Sequence, residues 1–172
     1  MRVRYLAVAA IFVAALVVSG PVLAANTPIN GFLNGGFQCG SCASTTTFDT
    51  LGTGSTAMTG WTVTSGSVDW INGYWLSDPA ASTTNSLDMN GNGPGTIQQN
   101  FSTTAGATYS VSFYLSGNPD GAPTTKILDV TASGNPLIQY PFDVTAKITH
   151  STMGWVSRSY TFTATTDSTT LT

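Results

Sequence analysis

Thr108-Tyr-Ser-Val-Ser-Phe-Tyr-Leu-Ser116, TYSVSFYLS, sets Tyr109, Val111, Phe113 and Leu115 against Ser110, Ser112, Tyr114 and Ser116. Successive side chains of an extended chain point to opposite faces, so this stretch reads as a strand with one apolar face and one polar face. The same alternation, weaker, runs through residues 60–64 with Trp61 and Val63 inward, and through 126–130 with Leu128 and Val130 inward. It returns in 159–164 with Tyr160, Phe162 and Ala164 inward, and residues 169–172 also read as a strand. Clusters of Gly, Pro, Asn and Asp at 91–95, 117–123 and 133–136 separate these runs. Past the N-terminus no stretch has the i, i+3, i+4 apolar spacing of an amphipathic helix. The expectation is an all-β chain folded as a two-sheet β-sandwich or jelly roll.

The first 24 residues differ in kind. Arg2 and Arg4 precede an apolar run over residues 6–18, and Val22-Leu23-Ala24 offers a small-residue cleavage pattern. This is the layout of an export signal cut after Ala24, and the run is shorter than the ~20 apolar residues of a membrane-crossing helix. Residues 25–172 then form one domain, with no fixed-period repeat and no linker, and with no membrane insertion once the signal is gone. That domain carries Lys126, Lys147 and Arg158 against eight Asp and no Glu. Nucleic acid and anionic membrane surfaces recruit clustered Lys and Arg, so neither is an expected partner.

Asp88-x-Asn90-x-Asn92-Gly93 opens like a calcium-binding EF-hand loop. The twelfth position from Asp88 is Gln99, where a bidentate Glu belongs, and the flanks 85–89 and 96–101 read as strands rather than helices. No Gly-Lys-Ser/Thr follows, so a phosphate cradle is also excluded. A turn between two strands remains, with Asp88 still a candidate polar contact.

Other chemical motifs are sparse. His150 is the single imidazole, no G-x-S-x-G elbow occurs, and the Asp spacing singles out no carboxylate pair, so no catalytic residue is assigned. Cys39-Gly-Ser-Cys42 lacks the helix that redox C-x-x-C chemistry needs, and two Cys alone cannot close a zinc tetrahedron. A short-loop disulfide between Cys39 and Cys42 is expected.

Residues 68–78, VDWINGYWLSD, interleave three large aromatics with Asp and Asn. Apolar sugar faces pack on aromatic rings while fixed carboxylates and amides bond the hydroxyls. Trp70 shares a face with Val68 and reads first as core. Tyr74 and Trp75 would point to opposite faces of an extended chain, leaving either as the stacking platform. Asp69, Trp70, Tyr74, Trp75, Asp88 and Asn90 are the candidate ligand-binding residues.

Taken in order, Asn34-Gly-Gly-Phe37, Gly60-Trp61-Thr-Val63, Gly66-Ser-Val-Asp69, Tyr74-Trp75, Ser86-Leu-Asp88-Met-Asn-Gly91, Gly93-Pro-Gly-Thr-Ile97 and Ser112-Phe-Tyr-Leu-Ser-Gly-Asn-Pro119 resemble the choice-of-anchor C proteins of the domain-of-unknown-function 642 group. The resemblance covers residues 31–172. It implies a galactose-binding-like jelly roll without catalytic activity, secreted or held at the cell surface and contacting polysaccharide or cell-wall glycan. It also implies one further strand and, in many bacterial members, a sorting tail beyond Thr172. Related modules hold a structural calcium ion through an Asn-Gly-x-Phe-Glu segment and a late Asp-rich strand. Here Gln38 stands at the Glu position and the printed sequence ends before such a strand, so no metal ligand and no cofactor is assigned. The alternative is a surface structural or adhesion domain with protein partners.

Overall fold

The computed structural model describes residues 31–43, 45–76, 85–145 and 148–172, and the backbone of residues 8–12. Arg2, Arg4, the cleavage pattern at 22–24, Asp78 and Lys147 lie outside the described residues.

Among the described residues the chain forms strands and no helix: β1 (Val8–Phe12), β2 (Phe48–Gly52), β3 (Thr62–Ser65), β4 (Ser67–Ile71), β5 (Ser86–Asp88), β6 (Thr96–Ser102), β7 (Thr108–Ser116), β8 (Thr125–Val130), β9 (Ile138–Asp143), β10 (Val156–Thr163) and β11 (Ser168–Leu171). No helix of these residues is long and apolar enough to cross a membrane. One sheet has the order β10-β7-β1-β5-β4-β2, a second β11-β6-β3 and a third β8-β9. All pairings are antiparallel. The third sheet joins the second where Thr131 and Thr172 exchange two backbone hydrogen bonds of 2.9 Å.

The expected all-β sandwich is what forms, and the alternation in β7 decides its packing. Val111, Phe113 and Leu115 are buried with Val68, Trp70, Leu87, Tyr160 and Phe162 of the same large sheet. Val63, Ile97, Phe101 and Leu171 of the second sheet and Leu128, Val130 and Phe142 of the third close the core from the other side. Burying each such side chain stabilises the fold by about 1.5–3 kcal/mol against conformational entropy. An apolar cavity of about 310 Å³ remains between the layers, lined by Trp61, Met89, Ile97, Phe113 and Leu128 among others.

Two polar residues on inward positions are accommodated by partners. Lys126 shares the face of Leu128 and Val130 and is 3% exposed, with Nζ donating to the Gly121 carbonyl at 3.0 Å. Gln99, at the position where an EF-hand requires Glu, is buried and exchanges two hydrogen bonds with the Leu33 peptide: its Nε2 donates to the Leu33 carbonyl at 2.9 Å and its Oε1 accepts from the Leu33 N–H.

The segment before β2 is pinned to the core by aromatic groups. Phe37 has φ 53°, a left-handed conformation rarely adopted by a bulky residue. Full burial of its ring against Trp61, and donation from the Trp70 indole N–H to its carbonyl at 2.8 Å, offset that strain. Trp61 in turn donates to the Asn34 carbonyl at 3.1 Å. Just beyond, Cys39 and Cys42 are joined by the expected disulfide.

Candidate functional site

The even positions of β7 and their neighbours face away from the sandwich core, and a second, smaller cluster covers part of that outer face. Ile71, the last residue of β4, packs with Trp75 and Met153 there, flanked by Tyr74, Ile148 and Trp155. Gly73, at φ 93°, turns the chain after β4 so that residues 74–76 do not continue extended. Trp75 donates its indole N–H to Ser86 Oγ of β5 at 2.9 Å, and Leu76 N–H donates to the His150 carbonyl at 2.8 Å. Trp155 Nε1 donates to the Leu76 carbonyl at 3.0 Å, which locks the 72–76 and 148–155 loops together.

Because the chain turns, the expected division between Tyr74 and Trp75 resolves in one direction. Trp75 is 3% exposed and Trp70, inside the main core, 6%, so neither presents a ring face and neither serves as a platform. Tyr74 is half-exposed. Its ring meets Phe48 edge-on at 5.6 Å, Trp75 at 5.5 Å and the His150 imidazole at 4.6 Å. Phe48, at the start of β2, is 41% exposed and widens the aromatic surface.

Tyr74 is also held at its polar end. The phenol donates to Asp120 Oδ2 at 3.0 Å, and His150 Nε2 lies 2.9 Å from the same oxygen. The hydrogen bond to the Asp120 carboxylate first, burial second and the Asp120 charge third raise the Tyr74 pKa above the usual phenol value. Asp120 sits in the turn Asn118-Pro119-Asp120-Gly121, and its N–H donates to Asn118 Oδ1 at 2.8 Å. Asn118 Nδ2 continues inward to Asp88 Oδ2 at 2.6 Å. A chain of hydrogen bonds therefore connects the exposed Tyr74–His150 pair to a buried carboxyl on β5.

Asp88 is 4% exposed, and burial pushes its pKa up to about 6 in spite of hydrogen bonds from Asn118 and the Asn90 N–H. Asp69, opposite Asp88 in the β4–β5 register, is half-buried; its pKa is raised by burial and restrained by the Thr50 hydroxyl donating to Oδ1 at 2.6 Å. Asn90 turns the chain out of β5 with its N–H on Asp88 Oδ1 at 3.0 Å, and its own Oδ1 is buried with no hydrogen-bond partner among the described residues. The flanks of this turn are β5 and β6. At Gly95 an added Cβ would stand 2.3 Å from the Ser67 carbonyl oxygen, so close backbone approach accounts for the glycine there.

The predicted ligand-binding residues thus divide. Tyr74 faces solvent, Asp69, Asp88 and Asn90 form a polar group on and beside the outer face of the large sheet, and Trp70 and Trp75 are structural. Asp120, His150 and Phe48, which the sequence reading did not select, complete the exposed part. The described residues contain no group of three or more His, Cys, Asp or Glu that could hold a metal ion.

Comparison with known families bears on this arrangement. The model of the family described as "Protein of unknown function (DUF642)" matches residues 30–172. The chain belongs to the DUF642 family. Residues of this DUF642 chain are also 39% identical over 88 positions to Halomucin of Haloquadratum walsbyi (strain DSM 16790 / HBSQ001), a match covering 49% of this chain and 1% of that protein. No solved structure matches the chain.

Proposed function

We propose that this DUF642 protein is an exported, non-catalytic carbohydrate-binding module that stacks a sugar ring of a polysaccharide or cell-wall glycan on Tyr74. The observation that carries the reading is the half-exposed Tyr74 ring bordered by Phe48 and His150, with its hydroxyl fixed by Asp120. A rigid ring beside a carboxylate and an imidazole matches what a sugar presents, apolar C–H faces edged by hydroxyls. Asp120 and His150 are the nearest hydroxyl partners. Asp88 and Asn118 set the Asp120 turn from beneath, and Asp69 and Asn90 lie on the flank.

Export to the medium or the cell surface is supported by Arg2, Arg4 and the apolar run that follows, and by the similarity to Halomucin. The alternative reading, a surface adhesion domain with protein partners, is favoured by Leu137 and Ile138, which are 49% and 44% exposed side by side at the start of β9.

Retention on insoluble cellulose, pectin and chitin tests the proposal, with reducing-sugar release assayed in parallel. Wild-type retention on one of them, lost in Tyr74→Ala at unchanged thermal stability, supports glycan stacking. Equal retention of the variant removes Tyr74 as the platform, and sugar release would make the protein a hydrolase.

A further inference from the structure

The charge around Tyr74 is one-sided. Asp120 closes the hydroxyl end of the ring, and its side chain is 52% exposed. Its Oδ2 serves the Tyr74 hydroxyl and His150 Nε2, and its Oδ1 lies 3.1 Å from that same imidazole nitrogen. Two carboxylate oxygens offer about four acceptor sites, more than one phenol and one ring nitrogen fill, so an exposed acceptor remains at the edge of the Tyr74 ring. Beyond the hydrogen bond and burial, the charges of Asp120 and of Asp88 also raise the Tyr74 pKa, which marks a negative field at the phenol.

Among the described residues no cation is placed to answer that field at the ring face. Lys126 is buried, with Nζ held on the Gly121 carbonyl at 3.0 Å. Arg158 alternates with Tyr160 and Phe162 along β10, so it faces the core side of the large sheet, away from Tyr74. His150 is charged only when protonated, and its Nε2 is then already on Asp120. A sugar carboxylate stacked on Tyr74 would stand beside a like charge, which is costly. An ammonium would instead be attracted twice. The faces of Tyr74 and Phe48, rings 5.6 Å apart, draw a cation, and the Asp120 carboxylate accepts its hydrogen bond.

We propose that the sugar stacked on Tyr74 is an amino sugar with a free amine, its ammonium received by Asp120 at the edge of the ring and by the aromatic faces of Tyr74 and Phe48. This rests on the glycan-stacking reading and narrows it to one class of sugar. The pyranose supplies an apolar C–H face to Tyr74, as any such ring does, and the ammonium supplies the selectivity. N-acetylation of the same amine removes the charge and leaves the ring, so it separates the two contributions.

Isothermal titration at neutral pH, where part of the sugar amine is protonated, compares oligomers of glucosamine, N-acetylglucosamine and galacturonic acid of equal length. The glucosamine oligomer is expected to bind at least ~5-fold more tightly than its N-acetylated counterpart, and the galacturonic acid oligomer more weakly than both. Asp120→Asn keeps an acceptor for the Tyr74 hydroxyl and removes the charge, so it should bring the ratio of the first two affinities to about one. Tyr74→Ala should lose the glucosamine oligomer at unchanged thermal stability. Undiminished binding by that variant would show diffuse attraction to an acidic protein and overturn the proposal. Equal affinities for the amine and its N-acetyl form, or a preference unchanged in Asp120→Asn, overturns the amino-sugar assignment and leaves stacking on Tyr74 intact. A preference for galacturonic acid, whether or not Lys147→Ala abolishes it, does the same, as does retention on cellulose without binding of the glucosamine oligomer. Absence of binding to all three oligomers, with no retention on cellulose, pectin or chitin, overturns the proposal through the stacking reading itself.

Discussion

Replacing Asp88 by Asn should flatten the dependence of stability on pH. Burial raises the Asp88 carboxyl from 3.8 to about 6 in the folded protein. Between those values the folded state binds more protons than the unfolded state, so stability falls as pH rises through the window. The contribution is fully present below the unfolded value and gone above the folded one. At roughly 1.4 kcal/mol per pH unit, the displacement is worth about 3 kcal/mol. An Asn at this position cannot ionise. It keeps one acceptor for either the Asn90 N–H or Asn118 Nδ2 and turns an NH₂ toward the other donor, a loss of about 1 kcal/mol. Urea unfolding between about pH 4 and pH 7, at constant ionic strength, measures the difference. The wild type should lose about 2.4 kcal/mol more than Asp88→Asn across that range, part of the displacement lying below pH 4. Asp69, whose pKa burial also raises, titrates in both proteins and largely cancels in the comparison. Parallel profiles, within about 0.5 kcal/mol, would refute the claim that a buried, displaced carboxyl sits beneath the Asp120 turn.

Three further outcomes follow from the packing. Phe113→Ala, at the centre of β7 and 1% exposed, should lower unfolding free energy by about 3–5 kcal/mol in urea titration with an unchanged denaturant slope. Gly95→Ala drives a methyl group against the Ser67 carbonyl, a backbone atom that cannot rotate away, and should cost at least about 1–3 kcal/mol by the same assay. Reducing the Cys39–Cys42 disulfide, which closes a very short loop, should cost about 2 kcal/mol, read as a shift of the thermal midpoint with and without reductant.

The strands that alternate cleanly were legible because period two is imposed by the backbone itself. Tyr109 to Leu115, Tyr160 to Ala164 and Trp61 with Val63 are all on the core side as read. Lys126 was placed in its strand but not recognised as buried, since only the fold shows the Gly121 carbonyl that receives its ammonium. β2 and β9 escaped notice: β2 never buries a residue fully, and β9 contains Pro141 and exposes most of its length. β1 was not read as a strand because its sequence reads as part of an export signal, and an apolar run reads alike in a signal and in a buried strand.

The candidate site was half legible. The aromatic stretch led to Tyr74, but an alternation rule for extended chain does not hold after the turn at Gly73, and Trp75 folds under. Asp120 reads as an ordinary turn residue and His150 as a surface residue near a bend. Asp120 meets Tyr74 across 46 positions of chain and His150 across 30, a convergence that local pattern does not encode.

Adsorption isotherms of wild type, Tyr74→Phe and Tyr74→Ala on whichever polysaccharide retains the protein address ring stacking most directly. Tyr74→Phe keeps the ring and loses only the bond to Asp120, so it should bind within about 5-fold of wild type, whereas Tyr74→Ala should bind at least ~10-fold more weakly. Isotherms that coincide for all three proteins, or a Phe variant as weak as the Ala one, would contradict it.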